Sequence, residues 1–204
     1  MASRVLLPLL LLAAASPAAL GAFDVLQMLA DKPKYAAFAN LLLQTKVGAE
    51  VNAMKAAALL VVPDKFVKPL ASLPPEKQRQ ALLNHVLKSY LDPVRLGEIK
   101  ATPAVLPTLL PSSSVSYDRA PDGQMHVSAV GNPCVAKLTK VVAARPPAIC
   151  IMEVSEPLLP AGFSTAPCPK SKAGKKPKAG KPPAKLFAWD GTVPTPSEAP
   201  GAAP

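Results

Sequence analysis

The side chains able to do chemistry are scarce in this chain: two histidines, three cysteines and one tryptophan in 204 residues. His85 and His126 stand apart from any carboxylate or cysteine at the spacing of a catalytic pair or a metal site. Projected onto a helix that opens at Pro74 and Pro75, His85 lies ~130° from the centre of the apolar face, at roughly 100° per residue. That is a flanking position, facing solvent or bonding a neighbouring strand. His126 falls among alternating strand residues after Asp122 and Gly123. Ser112, Ser113 and Ser114 lack the Gly-x-Ser-x-Gly elbow of a nucleophile and follow Pro111, so a solvated loop is expected. Glu153 and Glu156 are three apart. On a strand they point to opposite faces, whereas paired acid/base work needs convergence. The residues therefore predict no enzyme, with no catalytic residue, cofactor site or metal site assigned.

Cys134, Cys150 and Cys168 are odd in number. Arg145, Pro146 and Pro147 suggest a turn between the strands bearing the first two. In a simple hairpin Cys150 would oppose about residue 141, leaving Cys134 on the order of 20 Å away at the rise of a strand. A bond between Cys134 and Cys150 is not expected at that separation. Cys150 shares a face with Met152 and Val154, which makes it a buried, inert thiol. Cys168 is the best candidate for intermolecular chemistry.

Half the residues are apolar, so the chain can build a core, while only 4% are aromatic. That poverty argues against an aromatic platform for single-stranded nucleic acid. The net charge of +10 is unevenly placed. Residues 22–160 hold 15 Lys and Arg against 11 Asp and Glu, a net of +4, and residues 161–204 hold seven lysines against Asp190 and Glu198, a net of +5. This last segment also has nine prolines, nine alanines and five glycines in 44 residues. Such a composition cannot bury enough apolar surface to offset its ordering entropy, and it predicts an extended, disordered Pro/Ala/Lys-rich tail. At the other end, Arg4 precedes an apolar run that closes on the small residues Ala19 and Gly21. A signal peptide over 1–22 is expected, with the mature chain starting near Ala22 or Phe23. No second long apolar segment follows, so no transmembrane span is expected in the mature chain.

Between these ends, the spacing predicts helices over 24–30, from Asp31-Lys32-Pro33 onward, and from Pro74 to Tyr90, where Asp92-Pro93 stops the last. Residues 57–62 read as a buried strand. Short β-branched or apolar runs at 108–110, 125–130, 135–142 and 149–154 read as later strands. Helices first and strands later, with one early strand, give an α+β order over 23–160.

Several segments resemble a fasciclin (FAS1) domain. Phe23 to Leu42 is similar to its opening helices, and Leu59-Leu-Val-Val-Pro-Asp-Lys-Phe66 to its first hallmark, although that hallmark is one residue short. Leu82-Leu-Asn-His-Val-Leu87 resembles its Tyr-His segment, and Ala148 to Pro160 its closing hallmark. With a signal peptide and an Ala/Pro-rich tail, the chain resembles a plant fasciclin-like arabinogalactan protein. The fold this implies is a β-wedge or sandwich with packed helices. Asn84 stands where the family's tyrosine precedes the histidine, so the integrin recognition associated with that tyrosine in animal relatives is not carried over.

The resemblance implies a secreted, non-enzymatic glycoprotein of the extracellular matrix, the cell wall or the outer face of the plasma membrane. Its partners would be cell-wall polysaccharide or cell-surface proteins, the domain supplying an adhesive or protein-binding surface and the tail the glycan or polyanion contact. No Asn-x-Ser/Thr sequon exists, but Pro167, Pro194, Pro196 and Pro200 follow small residues, and the family implies that such prolines are hydroxylated and carry arabinogalactan. Lys170, Lys172, Lys175, Lys176, Lys178, Lys181 and Lys185 form the polyanion-contacting run. A secretory signal directs that charge away from nucleic acid and toward acidic polysaccharide or membrane surface. The alternative is a cationic structural wall protein acting mainly through this tail, with the domain as a spacer. The oligomeric state is left open.

Overall fold

The helical half forms where apolar residues recur at helical spacing and polar groups close the ends. The computed structural model describes residues 23–163. Helices α1 (Val25–Ala30), α2 (Ala36–Gln44) and α3 (Val47–Asn52) come first, and a short 3-10 turn over Pro33–Tyr35 leads into α2. The carboxylate of Asp24 caps α1 by accepting from the backbone N–H groups of Leu26 and Gln27, which would otherwise lack partners. Val25, Leu29, Tyr35, Phe38 and Leu42 are buried, as their spacing requires. Next come β1 (Ala57–Val61), α4 (Lys68–Ala71), α5 (Pro75–Asn84), β2 (Val86–Leu87) and α6 (Pro93–Glu98). Strands β3 (Ala104–Pro107), β4 (Ser114–Arg119), β5 (Met125–Ala129), β6 (Val135–Arg145) and β7 (Ile149–Val154) complete the order.

The seven strands form one sheet in the order β2-β1-β7-β6-β5-β4-β3. All neighbours are antiparallel except β1 and β7, which run parallel with Ala58 beside Cys150. Every residue of β1 and β7 is buried, the mark of strands covered on both faces. Strand β6 is the hinge of the sheet. Its first residues pair with β5, the rest pair with β7, and two register irregularities lie between Leu138 and Ala143. An extra residue on one strand bends it and sharpens its twist, so the sheet folds into a wedge. The open edges meet: Leu87 bridges to Thr108, and the N–H of Leu109 donates to the carbonyl of Val86 at 2.7 Å. This closure leaves little unpaired edge to recruit another chain.

The α+β order and the early strand hold, but several boundaries differ from expectation. Helix α5 stops at Asn84, and Val86 and Leu87 form β2 instead of its last turn. Asp92 and Pro93 do not stop that helix; they start α6, with the Asp92 carboxylate accepting from the N–H of Arg95 at 2.8 Å. The expected strand at 108–110 lies earlier, over Ala104–Pro107. Strand β6 runs on to Arg145, and Cys150 stands opposite Ala144, three residues from the position a simple hairpin would give.

Candidate functional site

The segments that carry the fasciclin resemblance converge, and they converge on a clamp. His85 is completely buried, so of the two placements expected of it the solvent-facing one fails, and the ring instead bonds the segment that follows β7. The helical projection failed because the helix ends one residue before His85, and the chain turns inward there. The Nδ1–H of His85 donates to the carbonyl of Ala81 at 2.8 Å, and its Nε2 accepts from the backbone N–H of Leu158 at 3.0 Å. Asn84 completes the grip: its Nδ2 donates to the carbonyl of Leu158 at 2.9 Å, while its Oδ1 accepts from the hydroxyl of Ser113 at 2.7 Å. Both backbone groups of one residue in the closing hallmark are thus held by adjacent side chains of the Tyr-His segment. Phe38 of α2 meets the His85 ring edge-on at 5.8 Å between centroids. Burial drives the pKa of His85 down to about 4, the bond to Ala81 opposing it only in part. The ring is therefore neutral at neutral pH, as an Nε2 acceptor requires.

The first hallmark has a similar framework role. The carboxylate of Asp64 accepts from the N–H of Ala37 at 3.0 Å and so caps the first turn of α2. Glu153 of the closing hallmark is buried rather than poised for acid/base work. Its Oε2 accepts from Lys34 Nζ at 2.6 Å and from the hydroxyl of Tyr35, and its Oε1 accepts from Thr139 at 2.8 Å. Burial raises its pKa, but these three donors and the Lys34 charge outweigh that and hold the carboxyl below its usual range. Three donors on one carboxylate stitch the 3-10 turn before α2 to β6 and β7. His126 lies on the outward face of β5 between Asp118 and Lys137, in a row across three strands.

The serines depart from expectation in the same direction. Ser114 opens β4, and Ser113 is tied to Asn84, so this is not a freely solvated loop. Together with Leu110, Pro111, Ser112, Val130, Pro160 and Ala161 they line an open groove of about 280 Å³. Beside it, the alternation of β3 to β6 sends Ala104, Tyr117, Val127 and Ala136 inward and Val105, Ser116, Ser128 and Val135 outward. In that outward row Val105 is 65% and Val135 53% exposed, and Val130 at the groove is 49% exposed. The row of two valines and two serines is weakly polar and carries no charged side chain, which suits contact with another surface rather than capture of a small molecule.

Pro167, Pro194, Pro196 and Pro200, and Lys170, Lys172, Lys175, Lys176, Lys178, Lys181 and Lys185, lie outside the described residues, as does the expected signal peptide over 1–22. Of the cysteines, Cys150 is a free, buried thiol, as expected. Burial first, and then the nearby Asp92 carboxylate, push its pKa up to about 12. Cys134 is held in a disulfide.

The shape of the sheet and helices decides the fold. The fold matches the FAS1 domain pair of the insect cell adhesion molecule fasciclin I, with a TM-score of 0.53, 15% identity, and 63% of this chain and 46% of that one covered. The described residues have the FAS1 fold. The chain is 29% identical over 159 residues to fasciclin-like arabinogalactan protein 10 and 30% identical over 159 to fasciclin-like arabinogalactan protein 8, both of Arabidopsis thaliana. Each match takes in 72% of this chain, which spans 38% of the length of those relatives. No family model matches the chain. Within this fold the residues that carry the likeness are framework. The outward Val–Ser row and the groove, which sequence reading did not single out, are its accessible features. Strand alternation in 114–119 was the signal that could have found them, but hydroxyl-rich strands carry little hydrophobic contrast.

Proposed function

We propose that this chain is a secreted, non-enzymatic adhesion-type glycoprotein of the cell surface or cell wall. Its FAS1 domain supplies the protein-binding surface, and residues 161–204 supply glycan and polyanion contact. The observation that carries the reading is the fold, shared with an insect cell adhesion molecule and joined to similarity with fasciclin-like arabinogalactan proteins. Among the described residues no helix is long and apolar enough to cross a membrane. The adhesive surface we assign is the outward row from Val105 to Val135, contacting a cell-surface protein. In this reading residues 1–22 are removed on secretion, Pro167, Pro194, Pro196 and Pro200 bear arabinogalactan, and the seven lysines of 170–185 attract acidic polysaccharide. Individually weak contacts at the domain and the tail gain strength by being tethered.

The seven-lysine run favours a second reading, a cationic structural wall protein in which the domain is a spacer. The two separate on three proteins coupled to beads: the full chain, the chain without 164–204, and the V105D/V135D variant. Bead-to-cell-surface adhesion should survive loss of the tail and fall at least tenfold in V105D/V135D, while retention on acidic polysaccharide should follow the tail. Adhesion that vanishes with the tail and ignores V105D/V135D would establish the second reading instead.

A further inference from the structure

Among the described aromatic side chains, Phe23, Tyr35, Phe38, Tyr90 and Tyr117 are buried and Phe163 is half-buried, whereas Phe66 is 40% exposed. It stands among lysines. Lys65 Nζ lies 4.6 Å from the centre of its ring, and Lys68 and Pro69 follow it at the surface. We propose that Lys65, Phe66, Lys68 and Pro69 form a subsite for a uronate residue of an acidic polysaccharide, its ring stacked on Phe66 and its carboxylate held by the two lysines. This rests on the reading that acidic polysaccharide is a partner of the chain, and it adds a contact on the folded domain to that of the lysine run.

The backbone fixes these four residues on one strip. Asp64–Phe66 form a 3-10 turn that runs into α4, with Val67 in helical conformation between the two. The N–H of Leu70 donates to the carbonyl of Val67 at 2.9 Å, and the hydroxyl of Ser72 to that of Pro69 at 3.3 Å. Val67 and Leu70 are buried and anchor the strip to the core. Along such a path residues three apart are neighbours, which sets Phe66 beside Pro69 and Lys65 beside Lys68. Asp64 ties the turn to α2 through the N–H of Ala37, and Gln78 fastens the far end by donating to the carbonyl of Ala71 at 2.9 Å. A surface held at both ends gives up little freedom on binding.

The charge on the strip is not neutralised. Among the described residues the ion pairs are Lys34 with Glu153 and Arg79 with Glu50, and neither Lys65 nor Lys68 has a carboxylate partner. Asp64, the one acid in the turn, is directed at Ala37 instead. The Lys65 ammonium settles on the negative face of the Phe66 ring, a weak attraction at an exposed site. An incoming carboxylate draws the ammonium off, and the ring face beneath it opens. That face then favours the polarised C–H groups on the apolar side of a pyranose. A uronate unites such a ring with a carboxylate. An acidic peptide brings its carboxylates on flexible stems without the rigid C–H face, and an inorganic polyanion brings charge alone.

The test uses the full chain with the seven lysines of 170–185 replaced by glutamine, so that the run does not mask the domain. An oligogalacturonide of uniform length is titrated into it by calorimetry. Weak binding should remain at about 0.1 M salt and be screened away by about 1 M. On this parent, F66S should lower the affinity about tenfold, close to what one aromatic contact supplies. F66Y should restore it, and K65Q/K68Q should remove it. All three should melt with the parent, because the altered side chains are exposed. The methyl-esterified oligomer keeps the ring and loses the charge, and polyglutamate keeps the charge and lacks the ring. Each should bind roughly tenfold more weakly or worse. Unchanged affinity in F66S, or polyglutamate binding as tightly as the oligogalacturonide, would overturn the subsite and leave a bare lysine pair open to acidic peptides. Binding by the wild type but none by the parent would also overturn it, with the lysine run left as the polyanion contact. No binding by either chain would sink the subsite together with acidic polysaccharide as a partner.

Discussion

His85 shows how much a single residue's environment decides. Its imidazole serves two partners with fixed polarity, giving a proton to Ala81 and taking one in a hydrogen bond from Leu158. A second ring proton would put Nε2–H against the Leu158 N–H and place a charge where nothing compensates it. The unfolded chain protonates this ring near pH 6.5, while the folded chain resists until about pH 4. The unfolded state therefore binds more protons throughout that window, and stability must fall as pH drops from 6.5 to 4 and level off below it. The expected loss is about 3 kcal/mol, at 1.36 kcal/mol per unit. His85→Gln should cost about 1–3 kcal/mol at pH 7 by disturbing buried hydrogen bonds, and its stability gap to the wild type should shrink toward pH 4. Urea titrations of both proteins at several pH values measure this, and a gap that stays constant with pH would mean that the ring carries no such linkage. Glu153 adds in the same direction at lower pH: its depressed pKa stabilises the fold above the usual carboxylate range and is lost on acidification through the folded value. Most of this was hidden from sequence reading. Residue types and order marked Asn84, His85 and Glu153 as belonging to a recognisable framework, but burial and partner depend on contacts between residues more than 70 positions apart, which local spacing does not encode.

At the scale of elements, legibility followed hydrophobic contrast. Strand β7 was read with its correct limits because six consecutive apolar or paired residues lie between breakers, and α1 and α2 because their apolar residues recur at helical spacing. Strand β4 went unread because Ser114, Ser116, Asp118 and Arg119 alternate with only two apolar residues, Val115 and Tyr117. Helix α5 was overextended because Val86 and Leu87 continue its apolar face by spacing, yet their burial is satisfied as a strand paired with β1. Asp92-Pro93 is the sharpest case, since the same dipeptide that forbids one helix begins another. Proline suits the first helical turn, and the preceding aspartate supplies the acceptor that the opening N–H groups lack. Asp92 also accepts from the hydroxyl of Tyr90 at 3.1 Å, so it joins the loop to the helix. Asp92→Ala should destabilise the domain by about 1 kcal/mol, within the range for a lost cap, and Asp92→Asn should retain most of that because its side-chain oxygen still accepts. Amide exchange should localise the effect to Arg95 and its neighbours. Equal losses in the two variants would show that charge, not the cap, is what Asp92 contributes.

Over the whole sequence, positive charge is densest beyond the described residues. The folded domain carries a modest positive excess spread over both signs, and ion pairs such as Arg79 with Glu50 lie at its surface. The run Lys170–Lys185 concentrates seven cations in 16 residues without an arginine or an acid among them. Lysine is a compact, strongly hydrated point charge that lacks the planar fork by which arginine makes geometry-specific contacts, so attraction to a polyanion through this run is mostly long-range Coulomb. Such attraction is screened over a distance that shrinks from about 10 Å at 0.1 M salt to about 3 Å at 1 M. Binding of the unglycosylated chain to a pectin-like acid should therefore weaken steeply across that range. Replacing all seven lysines with glutamine should abolish most of it. The same replacement should leave thermal unfolding within about 0.5 kcal/mol of the wild type, the usual limit for exposed changes away from caps, cores and networks. Affinity measured against salt for both proteins, together with their melting curves, separates two locations for the polyanion site. If binding survives both the replacement and 1 M salt, the site is on the FAS1 domain, and the groove bounded by Ser112, Pro160 and Ala161 becomes the place to mutate next. If the replacement lowers the melting temperature by more than a few degrees, the lysines contribute to the folded domain, and the separation of charge from fold argued here is wrong.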